Sequence, residues 1–259
     1  KEEYRLKISI ITVCKNAEKT IENTILSVLN QTYKNIELII IDGVSTDGTL
    51  DIINKYKDKI SYFISEPDTG VYNAMNKGIK AATGNILYFL NANDSLYDNY
   101  VLENVVTYFQ KDKNLDVLYG NIQYVDKNQV DVGIFKYNDF CQKLTFIDRN
   151  ICHQAIFYNS RTFKKYGLYD ETYRVYADYE YNVRLFVKHK IKTKYIDMFI
   201  ARFEAGGLSY SYNKEILKEE FQLIYDKYFK DNKLHQIDRF FMKYFGSIYK
   251  RIKRLLVLQ

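Results

Sequence analysis

Short, mostly apolar runs alternate with stretches of helical periodicity through the first 120 residues, and this alternation limits the fold more than any other feature. The apolar runs fall at residues 8–13, 36–41, 60–64, 86–90 and 117–119. Between them, residues 17–30 put Ile21, Ile25, Val28 and Leu29 on one face, and residues 50–56, 71–82 and 102–109 also read as helices. Strands alternating with helices predict βαβ units and a parallel sheet, an α/β architecture. Two of the strands end abruptly in polar residues: 36–41 at Asp42, and 86–90 at Asn91-Ala92-Asn93-Asp94. Open α/β sheets bind ligands at the carboxyl edge of their strands. A carboxylate presented there is a hard oxygen ligand, suited to a metal-bridged diphosphate.

Beyond residue 120 the pattern loosens. Residues 122–135 read as short, exposed strands, 161–166 and 178–189 as helices, and 193–196 as a strand. Residues 214–229 and 237–256 read as two final helices. The simplest organisation is one α/β domain over residues 1–210 with a helical C-terminal extension over 211–259. With 259 residues, 47% of them hydrophobic, the chain can bury a sizeable core. Three cysteines, with no CxxC pair, argue against a disulfide framework or zinc ribbon and for a reducing, cytoplasmic compartment. The charged residues 1–7 and the short apolar run after them do not form a secretory leader. No segment approaches the roughly 20 apolar residues of a membrane span.

The net charge of +6 is localised. Residues 239–259 hold six basic side chains and no acidic one, which leaves 32 of each sign in the remainder. Phe241, Phe245, Ile248, Ile252 and Leu255 recur at helical spacing, with Arg239, Lys243, Lys250 and Arg254 on another side. A basic amphipathic helix with aromatics fits an anionic membrane surface; a helix docked on the body with a solvated basic face fits the same pattern. The neutral body argues against nucleic acid as a partner.

Several candidate sites keep two readings on their residues alone. The turn Asp42-Gly43-Val44-Ser45-Thr46-Asp47-Gly48-Thr49 is either a capped strand-to-helix turn or a nucleotide-binding edge, with Gly43 and Gly48 allowing close backbone approach. Asp94 either caps the next helix or holds a metal. Asp178 and Glu180, at i and i+2, point to different sides of a helix. Asp178 is either a first-turn acid or a catalytic base. His153 and Gln154 suit a structural role or contact with a ligand.

Three stretches in order then carry a resemblance: residues 8–16 (Ile-Ser-Ile-Ile-Thr-Val-Cys-Lys-Asn), 27–33 (Ser-Val-Leu-Asn-Gln-Thr-Tyr) and 37–49. Together they resemble the N-terminal half of family 2 glycosyltransferases, inverting sugar transferases with the GT-A fold. The stretch Glu66-Pro67-Asp68-Thr69-Gly70-Val71-Tyr72-Asn73-Ala74-Met75-Asn76-Lys77-Gly78 is similar to a branch found in bacterial polysaccharide clusters. The likeness covers about residues 7–210. It implies a GT-A sheet, Rossmann-like and mostly parallel, flanked by helices. It implies a nucleotide-sugar donor, a UDP-sugar, and a glycan or lipid-linked saccharide acceptor.

By the resemblance Thr12, Asn16, Asp42, Asp68, Asn91 and Asn93 line the donor nucleotide site. Asp94 holds Mn2+ or Mg2+, Asp178 is the general base, and His153, Gln154 and Glu180 touch acceptor or diphosphate. The chain departs from the family at Gly43, where many relatives have a second acid, and at Asn91 and Asn93, where many have aspartates. Ala177 likewise stands where a glutamate is usual. A basic tail would hold such an enzyme at the inner face of the membrane, where lipid-linked acceptors sit. The competing readings are a degenerate transferase fold acting as a scaffold, supported by the thinned acidic motif, and a sugar-phosphate nucleotidylyltransferase. The latter expects a Gly-rich loop where this chain has residues 12–16 (Thr-Val-Cys-Lys-Asn).

Overall fold

The computed structural model describes residues 5–138, 146, 149–189, 191–204, 206 and 212–230. The predicted tail helix, all of residues 239–259 and most of the Gly-rich stretch after Glu204 lie outside them.

The strands are β1 (Ile8–Cys14), β2 (Ile36–Asp42), β3 (Tyr62–Ser65), β4 (Ile86–Phe89), β5 (Ser95–Leu96), β6 (Val117–Val125), β7 (Asp131–Phe135), β8 (Ile156–Asn159) and β9 (Thr193–Glu204). They form one sheet in the order β3-β2-β1-β4-β8-β6-β9-β5, with β7 paired to β6. The helices are α1 (Ile21–Leu29), α2 (Thr49–Lys55), α3 (Val71–Ala81), α4 (Val101–Lys111), α5 (Arg161–Tyr166), α6 (Ala177–Val183) and α7 (Lys214–Tyr228).

The expectation of a mostly parallel sheet holds for half the molecule. Strands β1 to β4 pair parallel, as the βαβ pattern demands. From β4 outward, β8 runs antiparallel to both β4 and β6, while β9 runs parallel to β6. The sheet is therefore mixed, and the change of direction begins at β8, a strand the periodicity does not reveal. Strand β9 also runs on to Glu204, well beyond the predicted 193–196, because residues 121–125 of β6 pair with residues 199–204.

All seven residues of β1 are buried, as expected for a central strand covered on both faces. Helix α3 lies very close to it: a Cβ added at Gly78 would overlap Ile11 Cγ2. That approach places the N-terminus of α3, with Tyr72, at the carboxyl edge of β1 and β4. Beyond β8, rings pack the core around Phe163, whose ring stacks on Tyr181 at 4.5 Å. Helix α7 joins this body through buried Ile224, Tyr225 and Phe229. No helix among the described residues is long and apolar enough to cross a membrane.

Candidate active site

The carboxyl ends of β1, β2 and β4 meet along one edge. After β4 the chain turns through residues 91–94 and is tied to α1, where Thr24 Oγ1 donates to the Asp94 carbonyl at 2.6 Å. Asp94 itself is 1% exposed. Its Oδ2 accepts from Gln154 Nε2 at 2.6 Å and its Oδ1 from the Glu204 N–H at 3.1 Å. Both donors are uncharged. Burial pushes the Asp94 carboxyl up to about 6, against the pull of these hydrogen bonds.

Residue 153, beside Gln154, reaches the second acid. His153 Nδ1 lies 3.1 Å from Asp178 Oδ2, and His153 Nε2 lies 3.1 Å from Asn91 Nδ2. A single tautomer satisfies both contacts: Nδ1–H donates to the carboxylate and Nε2 accepts from the Asn91 amide. Tyr72 Oη donates to the Val175 carbonyl at 2.5 Å and lies 3.2 Å from Asp178 Oδ1. The dipeptide His153-Gln154 thus links the acid after β4 to the acid at the start of α6. Asp178 Oδ1 also accepts from the Tyr179 N–H at 2.7 Å, and the Asp178 and His153 side chains keep 12% and 13% exposure.

Two oxygens at this edge are buried without a hydrogen-bond partner, Thr12 Oγ1 at the end of β1 and Asn91 Oδ1 after β4. Such atoms cost free energy unless something binds them. Asn93 is half-buried on the same loop.

Other residues of this edge brace the turns after β2 and β3. Asp42 is fully buried. Its carboxylate accepts from the Ser45 N–H at 2.9 Å, from Ser65 Oγ at 2.6 Å and from the Ser45 hydroxyl. It therefore ties the β2–α2 turn to β3. Asn16, at φ 52°, braces the same turn: its Oδ1 accepts from the Thr46 N–H at 2.8 Å and its own N–H donates to Ser45 Oγ at 2.8 Å. Asp68 Oδ1 accepts from the Gly70 N–H at 3.0 Å, while its Oδ2 lies 2.5 Å from where a Cβ at position 43 would sit. The missing side chain at Gly43 is what leaves room for the Asp68 carboxylate. Lys77 is held by Glu66 at 2.8 Å and by the Pro67 carbonyl at 2.7 Å, bracing that loop.

Glu180 is not brought to the cluster. Its side chain has 0% exposure and is met by Arg184 at 2.5 Å, by Lys227 at 3.0 Å and by the Tyr228 hydroxyl. Cys152 is half-buried beside this cluster and its thiol donates to Gln154 Oε1; burial, then the charge of Asp94, raises that thiol well above the ordinary range. Tyr72 was missed by sequence reasoning. The available signal was its place in the first turn of a helix opening directly from Gly70 in the Glu66–Gly78 stretch.

The family model for "Glycosyl transferase family 2" matches residues 9–167. The chain belongs to that family. It is 37% identical over 215 residues to a "PGL/p-HBAD biosynthesis glycosyltransferase" of Mycobacterium bovis, covering 81% of this chain and 82% of the relative. It is also 37% identical over 129 residues to the Escherichia coli "UDP-Glc:alpha-D-GlcNAc-diphosphoundecaprenol beta-1,3-glucosyltransferase WfaP", covering 49% and 50%. In fold it is similar to S. aureus TarS 1-349 in complex with UDP, at TM-score 0.67 and 18% identity, covering 95% of this chain and 72% of that one. The mannosyltransferase PcManGT of Pyrobaculum calidifontis, in complex with GDP-Man and Mn2+, matches at TM-score 0.61 and 14% identity, covering 80% and 59%. The protein is a glycosyltransferase with a GT-A-like fold, which removes the nucleotidylyltransferase alternative.

Proposed function

We propose that the protein is an inverting glycosyltransferase that moves a hexosyl or N-acetylhexosaminyl group from a UDP-sugar to a hydroxyl of a glycan or lipid-linked acceptor. The setting is bacterial surface polysaccharide synthesis on the cytoplasmic face of the membrane. The observation that carries this reading is the pair of acids bridged by His153-Gln154, one after β4 and one at the start of α6. The names of relatives support the chemistry: one uses UDP-Glc and a diphosphoundecaprenol-linked sugar, and a structural neighbour was solved with UDP.

Asp178 Oδ2 takes the proton of the acceptor hydroxyl as that oxygen bonds to the anomeric carbon. The bond from that carbon to the diphosphate breaks on the opposite face, and the nucleoside diphosphate leaves with the electron pair. His153, donating Nδ1–H, holds the Asp178 carboxylate in line and keeps it an acceptor. Thr12 Oγ1 and Asn91 Oδ1 offer unpaired oxygens to the donor.

Among the described residues no cluster of three or more His, Cys, Asp or Glu could hold a metal ion. The edge nevertheless fits one in a sparse way. Asp94 is a buried carboxylate met only by neutral donors, and Asn91 Oδ1 is a further oxygen without a partner. A site with one carboxylate suits Mg2+ or Mn2+ whose other ligands are diphosphate and water. When bound, such an ion supplies positive charge to the leaving diphosphate.

The test is nucleoside diphosphate release from a panel of nucleotide sugars with a lipid-linked acceptor, with and without EDTA. Turnover of a UDP-sugar, abolished by EDTA and restored by Mn2+ or Mg2+, is expected. Absence of release from every donor would contradict the reading and favour a scaffold.

A further inference from the structure

Asp178 sits in the first turn of α6, yet no side chain of that turn's own N-cap, Tyr176, caps the helix. The first N–H groups of a helix need partners from elsewhere. Just ahead of the helix, three successive N–H groups converge on one carboxylate from another element. Glu220, in α7, accepts from the Arg174 N–H at 2.6 Å through Oε1, and from the Val175 and Tyr176 N–H groups at 3.0 Å through Oε2. Glu220 is 7% exposed, although it lies 42 positions beyond Asp178. A buried anion at this place also complements the positive end of the helix dipole.

The same segment is pinned from its other side. The Val175 carbonyl accepts from Tyr72 Oη, and that hydroxyl lies 3.2 Å from Asp178 Oδ1. A shift of residues 174–176 would therefore move Asp178 and loosen its Tyr72 contact together. The exchange is reciprocal: Glu180 of α6 reaches back to Lys227 and Tyr228 of α7. The two helices are locked by one buried glutamate from each.

We propose that Glu220 is a positioning residue for Asp178, and that α7 belongs to the catalytic apparatus rather than forming an appendage. The inference rests on the reading of Asp178 as base. Its test uses the full chain and two kinds of measurement. In Glu220→Ala, kcat is expected to fall roughly 10- to 100-fold while KM for the nucleotide sugar stays within about threefold, since the donor edge is untouched. Hydrogen exchange of amides 174–176 should speed up by about tenfold or more, as three bonds to a charged acceptor are lost. Glu220→Gln keeps one acceptor oxygen on a side chain of the same size. It should fold as wild type and fall between the two, which decides the matter if the alanine variant aggregates. Leu223→Ala, an exposed position on the same helix, serves as the control and should change neither measurement.

A folded Glu220 variant with kcat within twofold of wild type, or with unchanged exchange at 174–176, would overturn the proposal. So would a loss of stability alone, with kcat preserved. Failure of the base assignment is separable: Asp178→Asn with full turnover would sink that reading whatever Glu220 does. The exchange measurement reports on Glu220 even in a protein that transfers nothing.

Discussion

At the residue scale, chemistry is decided by which carboxylates stay available. Asp42, Glu180 and Asp178 look alike in sequence, each an acid at the border of a helix or strand. Asp42 is held by Ser45 and Ser65, and Glu180 by Arg184, Lys227 and Tyr228, whereas Asp178 meets His153, Tyr72 and the Tyr179 N–H and keeps 12% side-chain exposure where Glu180 keeps none. The separation of Asp42 and Glu180 from Asp178 was not legible, because it depends on partners such as Ser65 and Lys227 that are distant in sequence. The pairing of Gln154 with Asp94 was equally hidden, although both residues could be named from their motifs. His153→Ala should reduce kcat roughly 10- to 100-fold with little change in donor KM, because the carboxylate loses its orienting donor but not its charge. Steady-state kinetics with varied donor check this. Asp94→Ala should remove most of the stimulation by Mn2+, which a metal titration of the initial rate measures.

At the scale of elements, β1, β2 and the helix between them were readable because each is a local pattern, and α5 coincides with its prediction at 161–166. Strand β5 has two residues, too few for any period. Strand β8 follows the irregular Asn150–Gln154 stretch and β9 is bulged against β6, so neither shows a clean alternation. The close approach of α3 to β1 gives a sharp prediction. Gly78→Ala should destabilise the fold by about 1–2 kcal/mol, since overlap with Ile11 outweighs alanine's helical preference. Trimming Ile11 to alanine as well should give a less than additive loss in a denaturant double-mutant cycle.

A second prediction concerns the amino edge of the sheet. Burial pushes the Glu37 carboxyl up, but Lys7, Ser9 and Thr83 together hold it down at about 2. A depressed carboxyl stabilises the fold above its unfolded value, near 4.5, and that stability is lost as pH falls toward 2. Glu37→Gln should therefore cost about 2 kcal/mol at neutral pH, discounted for solvent around Lys7. The gap to wild type should close as pH drops from 4.5 to 2 in urea melts.

At the scale of the whole molecule, a parallel half carrying Thr12 and Asn91 is joined to a mixed half carrying Asp178. The junction lies at β8, where His153 and Gln154 precede the strand that pairs with β4. The charge distribution adds a second global feature, a neutral body with the whole positive excess in residues 239–259. Each basic residue near an anionic bilayer contributes roughly 1 kcal/mol. Deleting 239–259 should abolish co-sedimentation with vesicles containing anionic lipid while leaving turnover of a soluble acceptor intact.

The central claim is that Asp178 removes the acceptor proton in a direct displacement. Transfer rates of Asp178→Asn with the preferred donor test it most directly. A fall in kcat on the order of 100- to 10,000-fold, with donor KM nearly unchanged, is the predicted result. Turnover equal to wild type would contradict it.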